Sequence, residues 1–179
     1  ISSSEPWKIP NLKEIPKIKT SFRTNPKGYL PYKRNKEKLA RDWVRIGTKG
    51  LEHTIGGLEK TNETGDVTQD PDNHDLMTRL RAEKVQRVVN DIPDLEIMGD
   101  KNADLLLVGW GSTLGSMKAA IEAVNGAGKK VAMINIRYLN PLPRNLGNIL
   151  RKFKKVGVVE LNLGQLNTII RSKFLIDTS

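Results

Sequence analysis

The sequence has no cysteine, only two histidines, 5% aromatic residues and no long hydrophobic run in its 179 residues. Without cysteine the chain can form no disulfide, no thiolate nucleophile, no zinc ribbon and no cysteine-ligated iron–sulfur cluster. Any redox chemistry must therefore sit on a cofactor or a partner. The sparse aromatics, beside a hydrophobic share of 37%, suit a soluble α/β domain better than a β-sandwich. The longest apolar stretch, around Leu105 to Trp110, is far short of the roughly 20 residues that span a bilayer. No signal-peptide pattern opens the chain, so a cytoplasmic location without a membrane partner is expected. The sequence opens on Ile1 in a Ser-rich stretch and closes on Asp177-Thr178-Ser179 without an obvious final element. It is read as a piece of a longer polypeptide.

The formal charge of +10 is unevenly placed. Residues 1–50 hold 13 Lys/Arg against 4 Asp/Glu, whereas residues 51–179 hold 17 against 16. The basic character thus belongs to a lead-in that also carries Pro6, Pro10, Pro16, Pro26 and Pro31. Prolines fix φ and remove amide donors, which favours an extended arm over residues 1–46 that packs on another domain or subunit. A nucleic-acid arm interleaves aromatics or RG units for stacking. Here Trp7, Phe22, Tyr29 and Tyr32 occur singly, so nucleic acid is the disfavoured partner.

Three short apolar runs, Asp104 to Val108, Lys130 to Ile136 and Lys155 to Glu160, read as strands buried on both faces of a parallel sheet. Between the first two, Met117, Ala120, Ile121 and Val124 fall at helical spacing within Ser116 to Asn125, and Gly126-Ala127-Gly128 supplies a stop. Asn145 to Phe153 and Gln165 to Arg171 read as further helices. The β, α, β, α, β, α order with right-handed crossovers gives an open doubly wound sheet. Upstream, Asn73 to Ile92 is expected to be one long helix capped by Asp72 or Asn73 and stopped by Pro93. Gly47 to Pro71 lacks periodicity and reads as an exposed, irregular loop. Loops of that length are usually functional or partner-binding.

Several patterns could carry chemistry. Gly109-Trp110-Gly111-Ser112-Thr113-Leu114-Gly115 joins a strand to a helix, where bare amides can cradle a diphosphate. Arg137, at the end of the next strand, could then meet a 2′-phosphate. Against this, Trp110 is bulky where a ligand must approach, and the acidic ribose partner about 20 residues on is missing. A tight turn whose glycines serve packing is the simpler reading. Asp66, Asp70, Asp72 and Asp75 lack the glycine and terminal glutamate of a calcium loop and suit capping and turns. His53 and His74 do not have the i, i+4 spacing of a helical metal pair, so no metal site is expected. No serine nucleophile elbow is present.

The run Ala103 to Thr113 followed by Val131 to Pro143 resembles the transketolase C-terminal domain of thiamine-dependent enzymes. Gly50-Leu51-Glu52-His53-Thr54-Ile55-Gly56-Gly57-Leu58-Glu59-Lys60, then Asp70-Pro71-Asp72-Asn73-His74, then Val159-Glu160-Leu161-Asn162-Leu163-Gly164-Gln165-Leu166 are similar to the α subunit of 2-oxoacid:ferredoxin oxidoreductases, most of all the 2-oxoglutarate type. Ser3-Ser4-Glu5-Pro6-Trp7 resembles that subunit's exit from its pyrimidine-binding domain.

The resemblance implies a parent enzyme that decarboxylates 2-oxoglutarate on thiamine diphosphate, passes electrons through iron–sulfur clusters to ferredoxin and releases succinyl-CoA. It also implies that the activating glutamate lies in the preceding domain and the magnesium-binding GDG motif in the β subunit. Here Gly65-Asp66 and Gly99-Asp100 are followed by Val67 and Lys101, so neither supplies it. The expectation is a transketolase C-terminal-like, Rossmann-like domain over residues 47–179: three layers around an open, mostly parallel sheet, truncated at its C-terminal end and preceded by the basic arm of residues 1–46. It would be a non-catalytic assembly domain, inactive alone and binding no cofactor, while the parent enzyme uses thiamine diphosphate, Mg2+, iron–sulfur clusters and the substrate CoA. Its partners would be the rest of the α subunit, the β subunit and, for the whole complex, ferredoxin. Glu52 and His53 are the candidate site residues, at a subunit interface or the substrate entrance. The alternative is a stand-alone nucleotide- or CoA-binding domain using Gly109, Gly111 and Gly115.

Overall fold

The computed structural model describes residues 9–179, so the Ser3–Trp7 segment lies outside the described residues. The chain forms two compact units, one of Pro10–Val88 and one built on Val89–Ser179. The arm boundary at residue 46 falls inside the first unit.

The second unit contains β1 (Met98–Gly99), β2 (Leu105–Trp110), β3 (Val131–Ile136) and β4 (Lys155–Val159) in the order β1-β3-β2-β4. β2 pairs in parallel with β3 on one side, Leu105 opposite Val131, and with β4 on the other, Leu105 opposite Lys155. β1 is an antiparallel edge on β3, two residues long and therefore too short to have left a periodic signal in the sequence. The expected mostly parallel, open sheet is present.

Alternation along the strands distributes two cores. Leu106, Val108, Ala132, Ile134, Ile136 and Val156 pack on one face against Leu146, Ile149, Leu150, Leu166 and Ile170, which belong to α3 (Leu146–Leu150) and α4 (Gln165–Phe174). Met133 and Leu107 pack on the other face against Met117 and Ile121 of α2 (Thr113–Gly126). Helices on both faces make the three layers. At the end of α2, Gly128 adopts φ +80°, and Asn125 binds both the N–H and the C=O of Val131, fixing where β3 starts. The helix expected from Asn145 to Phe153 is a single turn. Phe153 is buried, and Lys155 already donates to the Asp104 carbonyl at 2.9 Å, so the chain must turn before it reaches β4.

The first unit carries the helix α1 (Pro71–Arg87), after which the chain makes a 3-10 turn over Val88–Asp91. Its cap is Asp70, whose carboxylate accepts from the Asp72 amide, rather than Asp72 or Asn73. Pro71 takes the first helical position, where its missing N–H costs nothing. Elsewhere the unit is held by isolated bridges, among them Phe22 with Trp43 and Arg34 with Arg41. Residues 47–70 hold no helix or named strand, but they are not exposed throughout: Leu51 and Lys60 are buried. The Lys60 ammonium donates to the carbonyls of Gly56 and Leu58. Asn73 donates to the Lys60 carbonyl and accepts from the Asn62 amide, which fastens the loop to α1.

Candidate functional site

The loop of residues 50–60 begins at Gly50 (φ +78°), where a side chain would strike Pro26. Leu51 then anchors it in the interior, so Glu52 and His53 emerge at a fixed place. The His53 Nδ1 lies 2.9 Å from the Leu51 carbonyl and 3.0 Å from the Tyr29 hydroxyl. A carbonyl only accepts, so Nδ1 carries the proton and Nε2 is the basic nitrogen of the neutral ring. Burial, the largest influence, holds the Tyr29 phenol above its ordinary pKa, and nearby Arg41 opposes it. Tyr29 is therefore a neutral phenol at physiological pH.

Glu52 and His53 line one groove of about 570 Å³ together with Arg41, Trp43, Arg45 and Ile55. A second depression of about 360 Å³ adjoins it, sharing Phe22, Arg41, Asp42 and Trp43 and adding Lys19 and Arg23. Phe22 and Trp43 stand between them with ring centroids 6.0 Å apart. Arg45 lies over the Phe22 ring and Arg41 over Tyr32, while Arg23 pairs with Asp42 at 3.0 Å. Trp43 is 59% exposed. Sequence reasoning passed over Tyr29, Trp43 and the arginines because their proximity to His53 depends on irregular backbone that has no period to read.

The other candidates serve the fold. His74 faces Glu59 at 2.8 Å, and the second Glu59 oxygen faces Arg81. Asp75 pairs with Arg79. Among the described residues no group of three His, Asp or Glu could hold a metal ion. Arg34 reaches the Asn62 side chain and the Met77 sulfur, and burial, reinforced by Arg41 and Arg81, lowers its pKa.

At the strand-to-helix turn a Cβ on Gly109 would lie 2.1 Å from the Met117 sulfur and 2.7 Å from the Thr113 hydroxyl. Gly109 therefore lets α2 close on β2. Gly111 has φ +60° with open space around it, so its role is the turn itself, and Gly115 lies within α2. Thr113 accepts from the Trp110 amide and donates to its carbonyl. Arg137, Leu114 and Lys118 line one pocket of about 410 Å³. At the end of β4, Glu160 accepts from the Leu166 and Asn167 amides at 3.0 and 3.1 Å and so fills the N-terminus of α4.

Residues 103–176 match the family model described as pyruvate:ferredoxin oxidoreductase core domain II. The chain is 48% identical over 179 residues to 2-oxoglutarate oxidoreductase subunit KorA of Mycobacterium tuberculosis, covering 98% of this chain and 27% of that protein. Nearly the whole chain is thus homologous to a segment of 2-oxoacid:ferredoxin oxidoreductase α subunits. It is also 32% identical over 165 residues to subunit alpha of 2-oxoacid:ferredoxin oxidoreductase 1 from Aeropyrum pernix, covering 88% of this chain and 25% of that one. A solved 2-oxoglutarate:ferredoxin oxidoreductase from Magnetococcus marinus, with 2-oxoglutarate, coenzyme A and succinyl-CoA bound, matches with a TM-score of 0.82 at 28% identity. That match covers 94% of this chain and 30% of that one. The chain thus spans about a quarter of these α-subunit relatives.

The resemblance implies thiamine diphosphate and magnesium in the parent enzyme, and the Gly-Asp pairs of this chain can be compared with such a site. Asp100 accepts from the Asn102 amide and pairs with Lys130, while a side chain at Gly65, beside Asp66, would strike Tyr32. With its carboxylate committed to Asn102 and Lys130, the Gly99-Asp100 pair does not fit a magnesium-diphosphate site.

Proposed function

We propose that this chain is a non-catalytic assembly region of the α subunit of a cytoplasmic 2-oxoglutarate:ferredoxin oxidoreductase. The reaction converts 2-oxoglutarate, CoA and oxidised ferredoxin to succinyl-CoA, CO2 and reduced ferredoxin, with thiamine diphosphate and the iron–sulfur clusters held by other domains and subunits. The observation that carries the reading is 48% identity along essentially the whole chain to the mycobacterial subunit, and the fold match to the Magnetococcus enzyme supports it. The three-layer unit supplies a rigid body on which thiamine-binding domains can be held in register, and the Pro- and Lys-rich residues 1–46 supply a segment suited to wrap a neighbour.

The test is reconstitution. The full α subunit carrying this chain, purified with its β subunit, is expected to reduce ferredoxin with 2-oxoglutarate and CoA. The chain alone is expected to give no turnover and no heat with thiamine diphosphate or NAD(P). Micromolar dinucleotide binding by the chain would overturn the assembly reading in favour of the Gly109, Gly111, Gly115 alternative. The position of Glu52 and His53 in a groove supports a place at the substrate entrance or subunit interface. His53→Ala in the assembled enzyme is expected to lower turnover or α–β association, and wild-type values for both would remove that role.

A further inference from the structure

We infer that the pocket at the carboxyl end of β3 binds a free α-amino acid with an apolar side chain. In open parallel sheets ligands settle outside the carboxyl ends of the strands. This pocket of about 410 Å³ has the size of a small-molecule site, for which volumes of about 300–1,000 Å³ are usual. All the residues that line it belong to the second unit, and it shares none with the groove that holds Glu52 and His53.

Strand alternation builds the pocket floor. Ile134 and Ile136 point into the core formed with α3 and α4, so Asn135 between them projects to the face that α2 covers. There it stands opposite Gly109 in the β2–β3 register, and Gly109 has no side chain to meet it. The Asn135 Oδ1 is buried and, among the described residues, has no hydrogen-bond partner. Buried polar atoms are nearly always bonded, so this oxygen calls for a donor. The last torsion of an asparagine side chain is soft, and turning it brings the oxygen to a ligand ammonium in the pocket that Asn135 lines.

The charges around the floor select a zwitterion. Asp94 and Glu96 line the pocket together with Lys118 and Arg137, so two carboxylates balance two cations. Among the described residues Asp94, Glu96 and Arg137 take part in no ion pair, which leaves both signs available to a ligand. The guanidinium fork of Arg137 matches a carboxylate through two parallel hydrogen bonds. Asp94 and Glu96 accept from an α-ammonium, which the Asn135 oxygen can also receive. Met98 and Leu114 line the same pocket and offer apolar surface to an aliphatic side chain. A phosphate or a second carboxylate would face Asp94 and Glu96 without compensation, so a plain anion fits this lining less well.

The test uses the full α subunit purified with its β subunit. Calorimetric titrations are made with L-leucine and L-methionine, and with two truncated leucines: 4-methylpentanoate, which lacks the amine, and 3-methylbutylamine, which lacks the carboxylate. The proteins are wild type, Arg137→Gln, Arg137→Lys and the double variant Asp94→Asn/Glu96→Gln. Asp94, Glu96 and Arg137 are all exposed, so these changes leave the fold intact, with far-UV circular dichroism as the control. At least one of the two amino acids is expected to bind once per α subunit. Each truncated leucine and each of Arg137→Gln and the double variant should weaken binding about tenfold or more, the scale of a lost charge-assisted contact. Arg137→Lys should recover part of the loss. No heat from either amino acid would overturn the inference. Binding of 4-methylpentanoate as tight as that of leucine would overturn it by making the pocket a simple anion site. Wild-type affinity in both Arg137→Gln and the double variant would overturn it by placing the amino acid elsewhere on the enzyme. None of these readouts depends on turnover of 2-oxoglutarate, so the proposed function stands or falls separately.

Discussion

Replacing Gly109 by alanine tests whether this glycine serves packing. The added methyl would sit 2.1 Å from the Met117 sulfur, so the sulfur must retreat by about 1.5 Å to reach ordinary contact. Met117 is 2% exposed and packed against Ile121 and Met133. The Thr113 hydroxyl, 2.7 Å from the new atom, cannot swing away without giving up its bonds to Trp110. Overpacking of this kind costs about 1–3 kcal/mol, and a weakened hydrogen bond adds about 1 kcal/mol. The lower entropy of the unfolded alanine chain offsets about 0.4–1 kcal/mol. A net loss of about 2 kcal/mol follows, or roughly 10 °C in Tm for a unit of this size. Urea unfolding followed by far-UV circular dichroism should show a lower midpoint at constant m. Met117→Ala alone costs about 2–5 kcal/mol through a cavity, but the methyl of Gly109→Ala partly fills that cavity. The double variant should therefore be more stable than the sum of the two losses by about 1 kcal/mol or more. Strict additivity, or an unchanged midpoint in Gly109→Ala, would refute the packing argument.

Other outcomes follow from single contacts. Asn73→Ala leaves the Lys60 carbonyl and the Asn62 amide without their partner and should cost about 2–3 kcal/mol, with faster amide exchange at Asn62 as the local readout. Glu160→Ala removes both bonds to the first turn of α4. A loss of about 1–2 kcal/mol is expected by thermal melting. The hydrogen bond from Arg79 holds the Asp75 carboxyl below its ordinary pKa. Because the folded-state pKa is depressed, its contribution is present above the ordinary carboxylate range and is lost as pH falls through the folded value. Melting curves of wild type and Asp75→Asn should therefore converge in acid.

The sheet was legible because buried parallel strands are nearly continuous apolar runs: Leu105–Val108 and Val131–Ile136 announce themselves. The helix of the first unit was visible as an element but not at its ends. Pro71, expected at the end of the loop, is the first residue of the helix, and Val88-Val89 passes into a 3-10 turn that a 3.6-residue period does not distinguish from helix. Leu76, Val85 and Val88 in this stretch are exposed, whereas the polar Asn73 is buried. The difference arises because this helix is held by hydrogen bonds to irregular backbone more than by an apolar stripe. The candidate groove was the least legible part. The sequence singled out Glu52 and His53, but Phe22, Tyr29 and Trp43 reach them through bridges between residues about 20 apart, which no local pattern encodes.

The central place of β2 has a consequence for synthesis of the chain. Its Leu105-Leu106-Leu107-Val108 run is translated before either parallel neighbour, since Leu105 pairs with Val131 and with Lys155. At roughly 5–20 residues per second, one edge of this strand waits seconds for β3, and the other stays open until β4 has emerged about 50 residues later. During that interval the most apolar segment of the protein has unpaired amides and carbonyls on offer, so the nascent chain is most vulnerable to wrong partners at the very strand that, once finished, is the best protected.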